Sequence, residues 1–264
     1  MARRRLVTAD NLPRGRRGSS WPCACHEHPT PTASRTCSTT SRRPMNTLLT
    51  LLSEENLRSF AAAGHWRDRT IYGLVRDHAR RGPDKIAVRE RDRSTTYGDL
   101  IEAVDRLASA LAARGLRSGD RVAVWLPSRT ETVVAVLACS RSGYVACPSL
   151  HRDHTVAEIA ELVKRMRASA LLVQRGYGAD AEGEEIVAEV EDLEHLRMIR
   201  VLDPVPAGGL FPDLPAGAPG TERTDPNTVS YLAFTSGTTG QPKGSCTRTT
   251  RCCRRPGRWP PTGR

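Results

Sequence analysis

The chain has 264 residues, with 40 Lys and Arg against 29 Asp and Glu, which gives a formal net charge of +11 at neutral pH. The excess lies at the two ends, because residues 1–44 hold nine Arg against two acids and residues 245–264 hold six Arg and no acid. Residues 45–244 are nearly neutral and have the composition of an ordinary soluble domain. No apolar run reaches the roughly 20 residues of a membrane span. The basic ends lack interleaved aromatic residues, so no nucleic-acid partner is expected.

Residues 1–44 are rich in Arg, Pro and Ser, and we predict a disordered leader that is not native protein. Met45 begins the first stretch in which leucines accompany a charged face, so we predict that Met45 is the natural start. The ligand-type residues between Cys23 and His28 are spaced too tightly for a usual zinc knuckle, so no metal site is predicted. An Arg-rich start is also typical of a transit peptide, but no amphipathic apolar stripe accompanies it.

Helices and strands alternate from residue 68 onward, which predicts an α/β fold. Amphipathic spacing predicts a helix over Asp68–Arg81, followed by strands at Lys85–Arg89 and just before Tyr97. The apolar face of that helix is predicted to carry Ile71, Leu74, Val75 and His78.

Two capping boxes predict the starts of two further helices, one formed by Thr96 and Asp99 and the other by Thr155 and Glu158. Each box precedes apolar residues at helical spacing, and the first helix is predicted to end at Arg114-Gly115. These apolar residues are Leu100, Val104, Leu107 and Leu111 in the first helix, and Val156, Ile159, Val163 and Met166 in the second.

Short apolar runs predict the buried strands 121–126, 143–150, 170–173 and 198–202. Between the first two, a helix that is apolar nearly all round is predicted through Val133, Val134, Val136 and Leu137. Buried elements in succession predict a mostly parallel sheet with helices on both faces.

Less regular segments follow. Two loop histidines, His151 and His154, have no identifiable third ligand and are predicted to be solvated rather than catalytic or metal-binding. The acidic stretch 179–194 is predicted as a surface helix, and the Pro- and Gly-rich stretch 204–226 as a loose connection. Only Cys139 and Cys147 lie in the middle of the chain, which predicts a reduced, cytoplasmic location.

The segment Tyr231–Gly244 reads YLAFTSGTTGQPKG, an apolar run that leads into a loop of hydroxyl residues, glycines and one lysine. Hydroxyl donors, close backbone approach at glycine and a mobile ammonium group all suit phosphate oxygens. The loop is not a Walker A loop, because Lys243 precedes Gly244 instead of following a glycine. A flexible linker is the alternative, but a linker is seldom preceded by an apolar strand.

TSGTTGQPKG resembles the signature loop of the AMP-forming acyl-CoA synthetases and their adenylating relatives. The TTYGDL and GYVACPSL segments also resemble family segments, so the resemblance covers residues 45–244, the N-terminal portion of the adenylation domain. It implies ATP, Mg²⁺ and CoA as cofactors and a small carboxylic acid as substrate. The residues implied to hold the ATP phosphates are Thr235, Ser236, Gly237, Thr238, Thr239, Gly240 and Lys243.

Residues 245–264 form a basic tail, which we predict to be a frameshift product. Codons compatible with the residues after Gly244 can be read in another frame as an apolar, His-containing, helix-like sequence. The family's adenine, ribose, Mg²⁺ and C-terminal lysine elements are not found in the chain, so no catalytic residue is assigned. We therefore predict a carboxylate-activating ligase fragment without ligase activity. The alternatives are a non-catalytic interaction module and a basic nucleic-acid-binding protein.

Overall fold

The computed structural model describes most of the chain between residues 53 and 248. The described residues are 53–64, 69–148, 150–181, 183, 185–204, 208–215, 220–223, 225–226, 228–235 and 243–248. The leader 1–44, Met45 and the part of the tail after residue 248 lie outside them. The elements are α1 (Glu54–Ala62), α2 (Ile71–Arg81), β1 (Ile86–Arg89), β2 (Ser94–Thr96), α3 (Tyr97–Ala113), β3 (Arg121–Trp125), α4 (Thr130–Ser142), β4 (Val145–Cys147), α5 (Val156–Arg165), β5 (Ala170–Gln174), α6 (Ile186–Val190), β6 (Met198–Leu202), β7 (Val229–Thr235) and β8 (Lys243–Arg248).

A six-stranded sheet with the order β6-β5-β3-β4-β7-β8 organises the described residues, and the hairpin β1-β2 forms a separate two-stranded sheet. The first five strands in this order pair in parallel, whereas β8 is antiparallel to β7. The prediction of a mostly parallel α/β sheet is confirmed.

Alternate residues of β3 point to opposite faces of the sheet. Val122 and Val124 belong to a core cluster built with α2, α3 and α4, while Ala123 and Trp125 belong to a second cluster built with α5 and α6. A strand buried on both faces requires this continuous apolar run, because its side chains alternate between two cores. The predicted coverage of the sheet by helices on both faces is confirmed.

Both predicted capping boxes are present. Thr96 Oγ1 accepts a hydrogen bond from the Asp99 amide at 3.1 Å, and Thr155 Oγ1 accepts one from the Glu158 amide at 3.2 Å. The carboxylate of each acidic residue in turn accepts a hydrogen bond from the backbone amide of its threonine. The apolar residues predicted for the two helix faces are buried, so these helices follow from local sequence signals.

The helices α2 and α4 match their predicted faces in part. In α2, Ile71 and Val75 pack against the first core cluster as predicted, but the buried residues are Tyr72 and Ala79, and His78 is exposed. In α4, Val133 is 38% exposed, whereas Glu131 and Arg141 are buried. The helix predicted to be apolar nearly all round is buried on most sides, although Val133 is exposed, and the charged residues near its two ends take part in polar networks.

The connections after β5 also correct the predictions. The acidic stretch forms only the short helix α6, whose Ile186 and Val190 are buried against the second core cluster. The stretch 204–226 is not uniformly loose, since Phe211 is 1% exposed and Leu214 is also buried in the first cluster. Phe211 has a φ of 49°, a conformation that a bulky side chain rarely adopts, and its burial holds it there.

The predicted basic tail contributes to the sheet, because β8 runs through Gly244 to Arg248 and pairs with β7. No helix in the described ranges is both long and apolar enough to cross a membrane.

Candidate functional site

The strands β7 and β8 bring together the two ends of the proposed phosphate loop. Their antiparallel register places Thr235 opposite Lys243, so the seven residues between them form the connection of a hairpin. Of the predicted phosphate-binding residues, these two have described backbones and are cross-strand neighbours, at the separation usual for such pairs, about 5 Å between Cα atoms. Ser236, Gly237, Thr238, Thr239 and Gly240 lie outside the described residues.

The loop leaves the sheet at the carboxyl end of β7, which is parallel to β4 with Ala146 opposite Tyr231. In open parallel sheets, ligands bind beyond the carboxyl ends of the strands. Leu232 and Phe234 of β7 pack against the second core cluster. The sheet thus anchors the strand that carries the loop and directs the loop to the edge where ligand sites form.

The connection from β4 to α5 lies at the same edge and contains the two histidines. The rings of His151 and His154 stack with their centroids 6.2 Å apart, and His154 Nδ1 is 3.5 Å from a Glu158 carboxylate oxygen. The indole of Trp125 donates a hydrogen bond to the His151 carbonyl oxygen at 3.1 Å. His151 is exposed, as predicted. Within the described ranges, no group of three or more His, Cys, Asp or Glu residues could hold a metal ion.

A buried ion-pair network lies near this edge, at the N-terminus of α4. Glu131 accepts two hydrogen bonds from the guanidinium of Arg93, at 2.9 and 3.0 Å, and one from Arg129 at 2.8 Å. Burial alone would raise the pKa of Glu131, but the hydrogen bonds from Arg93 and Arg129 lower it to about 2. Arg129 also donates to the side chain of Gln174 and to the backbone carbonyl of Asp203, which joins α4 to the ends of β5 and β6.

The helix α4 has no side-chain cap from its own N-cap residue, Arg129. Glu90, at the end of β1, replaces that cap by accepting hydrogen bonds from the Thr130 amide at 3.0 Å and the Thr130 hydroxyl at 2.7 Å. Sequence reasoning missed this network, because an acidic residue in the first turn of a helix is usually exposed and complements the helix dipole.

A second polar cluster fixes the segment that leads into β7. Arg141, near the C-terminus of α4, donates to Asp105 at 2.7 Å and to the Gly220 carbonyl at 2.8 Å. Its own carbonyl accepts a hydrogen bond from the Arg223 amide at 2.8 Å. The guanidinium lies 5.6 Å from the ring centroid of Tyr72. These contacts hold residues 220–223 against α3 and α4.

Together these features define a class of protein: an α/β fold with a mostly parallel sheet, in which a segment rich in hydroxyl residues and glycine connects β7 to β8. The family model described as "AMP-binding enzyme" matches residues 75–253. The chain belongs to this family, and the predicted relationship to adenylate-forming synthetases and ligases is confirmed.

The chain is 34% identical over 176 residues to "Phosphinothricin tripeptide synthetase PhsC" of Streptomyces viridochromogenes, with 67% of this chain and 15% of that protein covered. It is 33% identical over 196 residues to "Salicyl-AMP ligase / salicyl-S-ArCP synthetase" of Mycobacterium tuberculosis, with 70% and 34% covered. The solved apo structure of MbtA from Mycobacterium smegmatis superposes with a TM-score of 0.60 at 31% identity, with 76% and 38% covered. The matched region thus spans between 15% and 38% of the length of these relatives.

Proposed function

We propose that residues 235–243 bind the triphosphate of ATP within a domain that activates carboxylic acids. The pairing of Thr235 with Lys243 is the observation that carries this proposal, because it brings together the two ends of a hydroxyl- and glycine-rich segment. The donor set fits a polyphosphate. Thr235, Ser236, Thr238 and Thr239 offer hydroxyl groups, Gly237 and Gly240 permit close backbone approach, and Lys243 offers an ammonium group.

In the proposed reaction, a carboxylate oxygen attacks the α-phosphorus of ATP, the bond from that phosphorus to the bridging oxygen breaks, and pyrophosphate leaves. Negative charge grows on the departing phosphates. Lys243 and the loop hydroxyls would stabilise that charge from fixed positions, which is the largest expected contribution at a phosphoryl-transfer site. The thiol of CoA or of a carrier domain, after losing its proton, would then attack the acyl carbon, and the bond from that carbon to the phosphate oxygen would break, so that a thioester forms and AMP leaves.

Mg²⁺ would neutralise phosphate charge when it is bound with ATP. We assign it no protein ligand. The 264 residues include the phosphate loop, but we identify no adenine, ribose or adenylation-lysine motif in them, so we propose that this chain binds ATP without forming acyl-AMP. The buried thiols of Cys139 and Cys147, neither of which forms a disulfide, are consistent with the proposed cytoplasmic location.

Equilibrium binding of ATP to the full chain tests the proposal. Lys243→Gln should weaken binding about tenfold or more, because it removes a charge-assisted hydrogen bond. Lys85→Gln is the matched control, since Lys85 is exposed and precedes the separate hairpin β1-β2. Equal affinity of the two variants would contradict the role of Lys243. Detectable acyl-AMP formation by the purified chain would contradict the proposed lack of turnover.

A further inference from the structure

A cavity of about 580 Å³ opens beyond the carboxyl ends of β3, β5 and β6. This volume is within the range of small-molecule sites. Its walls are mainly aromatic and aliphatic, and include Trp125, Tyr177, Val173, Ile186, Val187 and Val201. An apolar interior of this size accommodates the body of a small apolar molecule.

The aromatic wall is held in place by neighbouring loops. The Trp125 indole donates to the His151 carbonyl oxygen at 3.1 Å, and the Tyr177 ring lies edge-on to the Trp125 ring at 6.1 Å. Gly178 has a φ of 152°, and a Cβ atom there would lie 2.7 Å from the Trp125 ring. Glycine is therefore required where the loop crosses the indole. The position of the aromatic wall is therefore fixed by specific contacts of the fold.

The rim of the cavity carries both signs of charge. Arg175 lies 3.9 Å from a Glu185 carboxylate oxygen and 3.5 Å from an Asp203 carboxylate oxygen. The side chain of Arg175 is 62% exposed and that of Glu185 is 79% exposed, so both remain accessible to a ligand. A ligand with a single charge would be attracted by one of the two side chains, Arg175 or Glu185, and repelled by the other. A ligand that carries adjacent positive and negative groups would match both.

We propose that this cavity binds a free α-amino acid with an apolar side chain. The side chain would fill the apolar interior, the ligand carboxylate would pair with Arg175, and the ligand ammonium group would pair with Glu185. Arg175 follows β5, which is separated from β7 by β3 and β4, or about 14 Å at ordinary strand spacing. The site is therefore distinct from the phosphate loop and does not depend on the proposed ATP binding.

Three probes with the same apolar body test the proposal on the full chain: L-phenylalanine, 3-phenylpropionate and 2-phenylethylamine. By calorimetric or saturation-transfer titration, L-phenylalanine should bind about threefold to fivefold more tightly than either singly charged analogue, because exposed charge pairs contribute modestly. Equal affinity of the three probes, or no saturable binding of L-phenylalanine, would overturn the proposal.

Two variants test the two rim charges separately. Arg175→Gln should lower the affinity for L-phenylalanine to the affinity of the unsubstituted chain for 2-phenylethylamine. Glu185→Gln should lower it to the affinity of the unsubstituted chain for 3-phenylpropionate. Ala181→Leu, which adds volume to the cavity lining, should weaken all three probes about tenfold by occupying the apolar space. Arg114→Gln is the matched control, because Arg114 is exposed at the C-terminus of α3. An Arg175→Gln variant that binds like Arg114→Gln would contradict the role of the rim.

Discussion

The N-termini of α5 and α4 are stabilised in different ways. In α5, Thr155 and Glu158 exchange hydrogen bonds within one turn, and Glu158 is exposed. In α4, the corresponding acceptor is Glu90, which lies 40 residues earlier in the chain, and the neighbouring Glu131 is buried between two arginines. The first arrangement stabilises one helix, whereas the second also joins the hairpin β1-β2 to the carboxyl edge of the main sheet.

This difference implies that the two sites will respond differently to substitution. An exposed capping box loses a local bond, and water can replace the missing partner. A largely buried network leaves charges without their full set of partners when one member is removed, and water replaces the missing partner less easily there. The following predictions compare the two sites, starting with the largest expected effect.

Glu131→Gln should destabilise the chain by about 3 kcal/mol, because it leaves the half-buried guanidinium of Arg93 and the more deeply buried guanidinium of Arg129 without their shared carboxylate. Urea unfolding followed by circular dichroism measures the change. Glu102→Gln is the matched control, since Glu102 pairs with Arg106 on the exposed surface of α3 and should cost no more than about 1 kcal/mol. Similar losses in the two variants would show that the Glu131 network is not energetically distinct.

Acid should weaken the fold through the same carboxylate. The pKa of Glu131 falls from 4.5 to about 2 on folding, so its stabilising contribution is fully present above the unfolded pKa. The contribution is lost as the pH falls from about 4.5 through about 2. Unfolding free energies measured across this range should fall less steeply for Glu131→Gln than for the unsubstituted chain. Parallel curves would contradict the assigned pKa.

Glu90→Ala should cost about 2 kcal/mol, because it removes the distant cap of α4 and one partner of Arg93. Thr155→Ala, which removes only the local cap of α5, should lower the free energy of unfolding by about 1 kcal/mol. The same urea titrations measure both variants. If Thr155→Ala proved the more damaging, the account of α4 as a helix capped from another element would be wrong.

The contrast also explains how much the sequence could predict. The capping boxes at Thr96 and Thr155 and the apolar run Val122–Trp125 depend on residues close together in the chain, and all were predicted. The burial of Glu131 and Arg141 depends on partners brought close only by folding, so no local sequence signal predicts it. The acidic stretch 179–194 was predicted to be helical throughout, but within its described residues only the five residues of α6, with Ile186 and Val190 buried, form an α-helix.

In the candidate site, too, local features could be predicted from the sequence, whereas pairings formed by folding could not. The composition of residues 235–243 predicted a phosphate loop from local chemistry, and the structure adds that β8 returns beside β7 with Thr235 opposite Lys243. This pairing was not predicted, because the residues after Gly244 were interpreted as a frameshift product. The amino-acid cavity was not predicted either, since its rim and walls come from several separate elements.

The central claim is that ATP binds at the loop between β7 and β8. Hydrogen–deuterium exchange of the full chain, with and without ATP, tests this claim most directly. We expect ATP to slow exchange in peptides covering residues 229–248, while peptides covering the hairpin of residues 86–96 remain unchanged. Protection confined to other parts of the chain, or no protection at saturating ATP, would contradict the claim.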